Sequence, residues 1–210
     1  RQSVIKVGSA AEDQLPTRRT LNLALAALMA SPAARAAPRR YVLDAAASRM
    51  GFSFVLNGAR VKGEMPVARA DIRVDTGNLA ASSADVLLDA AKARTGLILA
   101  TEAMKGPDVL DTARHPQIRF VSYRIRLGAG GRISEGAQMT GGLTLRGVTR
   151  RVTLAAALYR LPGSAPQDLD VLDVHLSGQI SRAAFGAAGY AGLVGDRVTL
   201  EIRARIRAAG

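Results

Sequence analysis

The sequence contains no cysteine, and aromatic residues make up only 4% of its 210 residues. Without thiols the chain has no disulfide, no thiolate metal ligand and no cysteine nucleophile. The absence of thiols fits an oxidising compartment, where a free cysteine would be a liability. The shortage of aromatic rings argues against a nucleic-acid partner, because bases commonly stack on such rings when a protein binds single strands.

Acidic residues are also scarce: the chain has 17 Asp and Glu against 29 Lys and Arg, which gives a net charge of +12. The basic residues occur singly or in pairs along the chain, as is typical of a solvated basic surface. Such a surface leaves an anionic membrane open as a partner. With 48% hydrophobic and 22% charged residues, the composition predicts a folded chain.

Long hydrophobic runs are missing as well. The apolar run at residues 21–30 is shorter than the roughly 20 residues that a membrane-spanning helix needs. It follows Arg18 and Arg19 and precedes a small-residue segment that ends at Ala37, the arrangement of a secretory signal peptide. The paired arginines resemble the twin-arginine variety. An amphipathic helix is disfavoured because the run has almost no polar face. We therefore expect an N-terminal extension and signal peptide at 1–37, a mature domain at 38–210, and a periplasmic location.

Alternating apolar and polar residues dominate the rest of the chain, and residues 139–161 show the pattern best. Two alternating runs flank a turn at residues 146–149, where Gly147 gives the backbone freedom to reverse. Asn57-Gly58 is a second strong hairpin signal. A hairpin cannot bury its apolar face alone, so these runs predict a larger antiparallel sheet.

Two local departures from this pattern carry predictions of their own. Residues 95–110 have helical spacing, and Lys105-Gly106-Pro107 is a stop signal. The apolar phase slips between Phe120 and Val121, which predicts a β-bulge. The chain is therefore expected to be all-β, with eight or nine strands and a short helical insert.

Strands linked by hairpins in this number favour a closed barrel or a sandwich. Several inward positions hold small residues, and an eight-stranded barrel lined by small residues can hold one elongated ligand. Dense packing explains the alternation equally well, so the pattern alone leaves the interior either hollow or solid. The small inward residues are Gly51, Gly63, Ala70, Ala156 and Ala204.

No constellation of catalytic residues is evident. His115 precedes a proline in a loop, and His175 lies on the polar phase of a strand. Neither is paired with residues at the spacing of a triad or a zinc site. The carboxylate groups at 71–75, 85–89 and 168–173 lie at outward strand positions or strand ends, where solvent-facing charge is the ordinary explanation. The sequence therefore predicts a protein that is not an enzyme and has no metal site.

Ordered fragments across most of residues 41–207 carry a family resemblance. They begin with Tyr41-Val-Leu-Asp44, Ser48, Phe52, Gly63, Thr95-Gly96, Met104-Lys105-Gly106, Val109-Leu-Asp111 and residues 115–120. They continue with residues 142–149, Val152-Thr153-Leu154, Arg182, Phe185-Gly186, Val194-Gly195-Asp196 and Val198. With these fragments the chain resembles the YceI-like family, lipocalin-like β-barrel proteins of the bacterial periplasm that bind polyisoprenoid or related long amphiphilic lipids.

The resemblance implies a lipocalin-like antiparallel β-barrel of about eight strands that carries a long-chain isoprenoid or fatty lipid. It implies no cofactor other than such a bound isoprenoid or quinone-like ligand. Alternation then selects the wall of the tunnel, and the insert and a late loop supply residues that could close one end. The candidate wall residues are Phe52, Phe54, Val61, Met65, Phe120, Leu143, Leu145, Leu154, Leu158 and Leu176; the candidate end residues are Leu97, Ile98, Phe185 and Tyr190.

A second hypothesis keeps the barrel solid. In it, an interaction or stress-response module acts through a basic outer face formed by Arg197, Arg203, Arg205 and Arg207 on the last strand. Whether the chain forms a homodimer is left open by both hypotheses.

Overall fold

The structure is a computed structural model that describes residues 38–128 and 136–210. The described strands are β1 Arg39–Leu56, β2 Ala59–Glu64, β3 Val67–Val74, β4 Ser83–Asp89, β5 Arg94–Thr95, β6 Gln117–Leu127, β7 Ala137–Leu145, β8 Val148–Arg160, β9 Val171–Ser181 and β10 Arg197–Ala208. One α-helix, α1, spans Ile98–Lys105, and short 3-10 turns lie at Leu79–Ala81, Ala90–Lys92 and Ala183–Phe185.

The strands form one antiparallel sheet in the order β10-β9-β8-β7-β6-β4-β3-β1-β2-β5, and β10 also pairs with β1. β2 and β3 succeed each other along β1 and are interrupted only by Met65-Pro66. On the other side, β4 pairs with β3 and β5 pairs with β2, so β4 and β5 also follow each other along one line. Counting β2 with β3 as one strand and β4 with β5 as another gives a barrel of eight strands. The predicted lipocalin-like antiparallel barrel of about eight strands is thereby confirmed.

Two tight hairpins shape one end of the barrel. Asn57 and Gly58 have φ values of 49° and 81°, and Arg146 and Gly147 have 51° and 75°. Positive φ at both central residues is the signature of a type I′ turn, whose twist matches that of the flanking strands. The predicted turn at 146–149 therefore narrows to two residues, because Leu145 already pairs with Val148.

The closing pair of strands is long. β1 pairs with β10 from Tyr41 opposite Ala208 to Ser53 opposite Thr199, with an irregularity between Asp44 and Arg49. At that irregularity the Ser48 hydroxyl donates to the Asp44 carbonyl at 2.6 Å and accepts from the Arg205 amide at 3.0 Å. Side-chain bonds thus replace ladder bonds where the strand bulges.

Two buried clusters occupy different levels of the barrel. The first includes Ile118, Leu143, Leu154 and Phe185 and lies towards the end that carries the two hairpins. The second comprises Tyr41, Val74, Leu172 and Ile206, towards the end that carries the two termini of the barrel domain. Tyr41 is 1% exposed, and its hydroxyl donates to the Leu169 carbonyl at 2.7 Å. Its burial raises the pKa of the Tyr41 hydroxyl.

Three expectations differ from the structure or fall outside it. The helical insert is shorter than predicted: α1 covers Ile98–Lys105, and bonded turns complete residues 106–115. The register of β6 shifts between Ser122 and Arg124 instead of after Phe120, because Phe120 still pairs regularly with Leu143. The extension and signal peptide expected at 1–37 lie outside the described residues.

Bulky inward side chains lie over glycines on neighbouring strands. A Cβ atom added to Gly63 would overlap the Phe52 ring, and one added to Gly141 would lie 2.5 Å from Phe120 Cζ. A Cβ at Gly178 would lie 2.6 Å from Leu154 Cδ2. Glycine therefore lets these large side chains lie flat against the wall of the barrel.

We predict that Gly63→Ala destabilises the barrel by about 1–3 kcal/mol, the usual cost of inserting a methyl group into a packed site. The added methyl would meet the Phe52 ring and lie 2.8 Å from the Arg94 carbonyl oxygen. Gly142→Ala is the matched control, since its Cβ would meet only Thr149 Cγ2, at 3.5 Å. Urea denaturation measures both free energies of unfolding, and equal values would contradict the prediction.

Candidate functional site: an apolar cavity within the barrel

The barrel encloses a cavity of about 890 Å³. This volume falls in the upper part of the usual range for ligand pockets, about 300–1,000 Å³. Inward side chains from both halves of the sheet line it, and most of them are aliphatic. Of the described residues that line it, those with polar side chains are Arg73, Ser82, Ser83, Arg182 and Tyr190.

One end of the cavity has a buried floor. Val74 and Ile206 line it and are 6% and 0% exposed. Below them the connection between β3 and β4 folds compactly, because the Asp75 carboxylate accepts from the Gly77 and Asn78 amides at 3.0 and 2.8 Å. Leu79 on this connection also lines the cavity. The floor is therefore a packed apolar cluster covered by an internally bonded loop.

The other end is a mouth, because several lining residues there are also exposed. Ile98 and Leu99, at the start of α1, are 83% and 85% exposed, although both line the cavity. Leu97, Tyr190 and Leu193 line it as well and are about half exposed. Apolar side chains that face both the cavity and the solvent mark the point where the interior opens.

A buried arginine organises the loop at the mouth. Arg182 is 7% exposed and lines the cavity. Its guanidinium donates to four backbone carbonyls of the loop that follows: Ala187 at 2.5 Å, Gly189 at 2.7 Å, Val194 at 3.0 Å and Gly195 at 3.1 Å. Burial lowers the pKa of this guanidinium, and the nearby Asp196 charge opposes the shift. The planar fork of arginine suits this task because it directs its N–H donors in several fixed directions.

Other contacts fix the same rim. The Gly189 amide donates to the Asp108 carbonyl at 2.9 Å, which ties the loop to the segment after α1. Arg146, held at positive φ in its turn, donates to the carbonyls of Val109 and Gly186 at 3.1 and 3.0 Å. The hydrogen bond from Ser181 and that from the Ala183 amide lower the pKa of Asp196, so its carboxylate stays ionised at the loop base.

Twelve of the fourteen side chains predicted from sequence line the cavity: Phe52, Phe54, Met65, Leu97, Ile98, Phe120, Leu143, Leu145, Leu154, Leu158, Leu176 and Tyr190. Val61 does not. It is buried in β2 directly opposite Phe54, which lines the cavity at that level. Phe185 does not line it either; at 2% exposure it packs within the first buried cluster.

Sequence reasoning missed several lining positions. Arg182 was recognised as part of a family fragment but not as a lining residue. The inward phase of β7, β9 and β10 also pointed to residues that were not selected. The missed apolar lining residues include Met139, Ile180, Leu200, Ile202 and Ile206.

The remaining polar candidates form no second site. His115 lies beside Gly147, and His175 packs against the Tyr159 ring with centroids 4.9 Å apart. No cluster of three or more potential metal ligands occurs among residues 38–128 and 136–210. Within the same residues, no helix has the length and apolar character to cross a bilayer.

Ion pairs occupy part of the basic face on β10. Arg205 makes two hydrogen bonds to Asp173, at 2.8 and 2.9 Å, and Arg207 makes two to Asp44, at 3.1 and 2.8 Å. The bonds from these arginines lower the pKa of both carboxyl groups. The face proposed for an interaction module is therefore partly neutralised, which leaves Arg197 and Arg203 as its unpaired cations among the described residues.

Comparison with known proteins identifies the family. The family model described as "YceI-like domain" matches residues 41–206, which is most of the barrel. The chain belongs to the YceI-like family. A UPF0312 protein of Vibrio vulnificus is 29% identical over 136 residues, which cover 63% of this chain and 69% of the relative.

Solved structures share the fold of this YceI-like chain. BcnA of Burkholderia cenocepacia matches with a TM-score of 0.66 and 22% identity, over 78% of this chain and 99% of that one. A polyisoprenoid binding domain from Saccharophagus degradans, implicated in plant cell wall breakdown, matches with a TM-score of 0.57 and 16% identity, over 81% and 99% of the two chains. At these identities the likeness concerns the fold.

We predict that Arg182→Met loosens the loop at the mouth and destabilises the protein by at least about 3 kcal/mol, because four backbone carbonyls, in one buried and three partly buried hydrogen bonds, lose a charged donor at once. Arg182→Lys should recover little, since one ammonium cannot reach four carbonyls spread around a planar fork. Arg197→Met, at an exposed arginine after the same loop, is the control. Urea denaturation gives the free energies, and hydrogen exchange of residues 183–195 locates the change. A loss confined to other parts of the barrel would contradict this assignment.

Proposed function

We propose that this protein is a binding or carrier protein for one long-chain amphiphilic lipid, of the polyisoprenoid class or similar, held in the barrel. The observation that carries the proposal is the apolar cavity of about 890 Å³, which has a packed apolar cluster at one end and exposed apolar lining residues at the other. A chain of methyl and methylene groups requires no polar partner in such a space. Membership of the YceI-like family and the fold shared with a polyisoprenoid binding domain support the same ligand class.

The energetics favour an apolar occupant over water. Water in a cavity needs two to four polar partners, and the wall offers few polar side chains. Each buried methylene of a ligand contributes about 0.8 kcal/mol, so a long chain binds tightly without any specific polar contact. Apolar contacts of this kind discriminate between ligands by the length and width of their chains more than by their functional groups.

The role we propose is binding without catalysis. It rests on the character of the cavity wall, where aliphatic side chains dominate and no nucleophile is paired with a base among the lining residues described. The solid-barrel hypothesis has less support, because the barrel encloses a cavity and two of the four β10 arginines are bound to carboxylates.

We further propose that the protein works in the periplasm after export through its N-terminal signal. The support is the sequence of residues 17–37, with paired arginines, a short apolar run and a small-residue end. A carrier that screens an apolar chain from water would have its use in an aqueous compartment between membranes.

Filling the cavity tests the binding site. Ala156 lines the cavity and is 8% exposed, whereas its neighbour Ala155 faces outward. We predict that Ala156→Phe weakens binding of a fluorescent prenyl chain at least about tenfold, the factor expected if the ring displaces only two methylene groups. Ala155→Phe adds the same ring to the outside and should leave binding unchanged. Circular dichroism checks that both variants are folded. Equal affinity in the two variants would place the ligand elsewhere.

The native ligand can be identified directly. The protein purified from its own host is extracted with organic solvent, and the extract is analysed by mass spectrometry. A prenyl or other long-chain lipid in near-stoichiometric amount is the expected result. Finding no lipid, together with no uptake of prenyl chains by the purified protein, would refute the proposed function.

The export proposal has its own test. We predict that Arg18→Lys with Arg19→Lys leaves unprocessed protein in the cytoplasm, because the twin-arginine route depends on that pair. Arg39→Lys with Arg40→Lys changes a second arginine pair that lies beyond the expected cleavage site, so it serves as the control. Cell fractionation and N-terminal sequencing measure the outcome, and a mature start at Ala37 or Pro38 is expected. Normal export of the Arg18 and Arg19 variant would exclude the twin-arginine route.

A further inference from the structure

Exposed apolar side chains are concentrated at the cavity mouth. Among residues 38–128 and 136–210, ten large apolar side chains are exposed. Four of them are scattered over the outer wall, and the other six surround the mouth. We call these six the mouth patch: Val55, Leu97, Ile98, Leu99, Tyr190 and Leu193. Scattered apolar residues are normal on a protein surface, whereas a cluster at a ligand entrance indicates a contact surface.

Backbone hydrogen bonds make the patch continuous. The Asn57 amide donates to the Leu193 carbonyl at 2.9 Å, and the Gly195 amide donates to the Val55 carbonyl at 2.9 Å. On the other side of the same hairpin, the Gly96 amide donates to the Lys62 carbonyl at 3.2 Å. The turn between β1 and β2 therefore joins the late loop to the beginning of α1.

The first turn of α1 is fixed in its exposed position. The Thr101 hydroxyl donates to the Leu97 carbonyl at 3.1 Å and accepts from the Thr95 amide at 2.9 Å. Thr101 is buried, so this network anchors the helix while Ile98 and Leu99 stay exposed to solvent at the mouth. Two aliphatic side chains held more than four-fifths exposed contribute little to folding, and contact with an apolar partner would bury them.

Two cations beside the mouth patch indicate the kind of partner that it contacts. Arg60 and Lys62 occupy the outward positions of β2, and neither forms an ion pair with any described residue. They lie next to the apolar rim because Lys62 is bonded to Gly96. Anionic phospholipid head groups complement such cations, and the acyl region below them complements the apolar patch. A second copy of the chain would instead present the same cations again.

We propose that the mouth patch docks the barrel on an anionic phospholipid bilayer. Ile98 and Leu99 enter the boundary between head groups and acyl chains, while Arg60 and Lys62 meet the head groups. The inference rests on the proposed function, since a lipid that leaves a docked mouth passes from the cavity into the bilayer without crossing water. The contact surface is thus the mouth and not the arginine face of β10.

A fluorescent reporter tests the position of the contact. The chain has no tryptophan, so Leu99→Trp places a single tryptophan at the mouth and Tyr123→Trp places one on the outer wall, and excitation at the red edge of the absorption band avoids the tyrosines. Vesicles of phosphatidylcholine with phosphatidylglycerol should shift the emission of the Leu99→Trp variant to the blue and allow quenching by brominated acyl chains. The Tyr123→Trp variant should show neither effect. Equal responses at the two sites, or none at Leu99→Trp, would overturn the proposal.

Vesicle co-sedimentation measures the affinity in the full 210-residue chain, so residues 1–37 are common to all variants. Ile98→Ser with Leu99→Ser should weaken binding at least about tenfold, the factor for losing the burial of one such side chain. Val42→Thr with Tyr123→Thr, at exposed apolar residues of the wall, should change it less than about twofold, as surface substitutions usually do. Binding retained by the mouth variant would overturn the docking surface.

Charge-reversal variants show whether the cations near the mouth or those on the outer wall bind the anionic head groups. Arg60→Glu with Lys62→Glu should abolish the preference for vesicles that contain phosphatidylglycerol over phosphatidylcholine alone, and salt should have the same effect. Arg124→Glu with Arg203→Glu, on the outer wall, should keep that preference. The reverse pattern would locate the contact on the wall and overturn the proposal.

Two further readouts separate this inference from the proposed function. Uptake of a soluble prenyl probe is measured without vesicles. Intact uptake by the Arg60→Glu with Lys62→Glu variant, together with loss of its preference for phosphatidylglycerol, supports the inference, because neither side chain lines the cavity. Docking without any uptake in the wild-type chain would refute the carrier function and leave the membrane contact standing. Light scattering tests for a dimer, and a mouth variant that turns a dimer into a monomer while still binding vesicles would show that the patch pairs with a second copy instead.

Discussion

The pairing of β1 with β10 is the interaction on which the rest of the structure depends. It runs from Tyr41 opposite Ala208 to Ser53 opposite Thr199 and joins the first strand to the last. Once the sheet closes, side-chain alternation no longer divides a core face from a solvent face; it divides an interior from an exterior. The cavity follows from this closure, because the inward side chains have no second sheet against which to pack.

Side-chain volume then decides whether the interior stays open. Inward glycines lie beneath Phe52, Phe120 and Leu154, so these bulky groups spread along the wall and not across the centre. Alanine at 156 and 204 adds little further volume to the lining. At the floor large side chains meet, and Tyr41, Leu172 and Ile206 are each at most 1% exposed there. The floor is therefore packed, and the cavity lies above it.

Alternation in the sequence was sufficient to predict the inward face of β8, as Leu154 and Leu158 illustrate. Alternation could not predict which inward side chains reach the cavity. A period of two gives the direction in which a side chain points, but it does not show whether another side chain covers it. Val61 points inward, but Phe54 lies opposite it. Phe185 is buried behind members of its own cluster, such as Leu143 and Leu154, and those residues line the cavity in its place. Arg182 escaped for a different reason: its partners are backbone carbonyls, which leave no trace in side-chain chemistry.

The unequal construction of the two ends determines where a ligand enters. Opening the floor would expose Tyr41, Leu172 and Ile206, at about 1.5–3 kcal/mol for each large side chain. Displacing the rim uncovers much less, since Leu97, Tyr190 and Leu193 are already half exposed. Tyr190 also has a φ of 58°, a conformation that a residue with a side chain keeps only when its surroundings impose it. Those surroundings are the loop that Arg182 holds, so the hydrogen bonds of this buried cation keep the rim of the mouth in place.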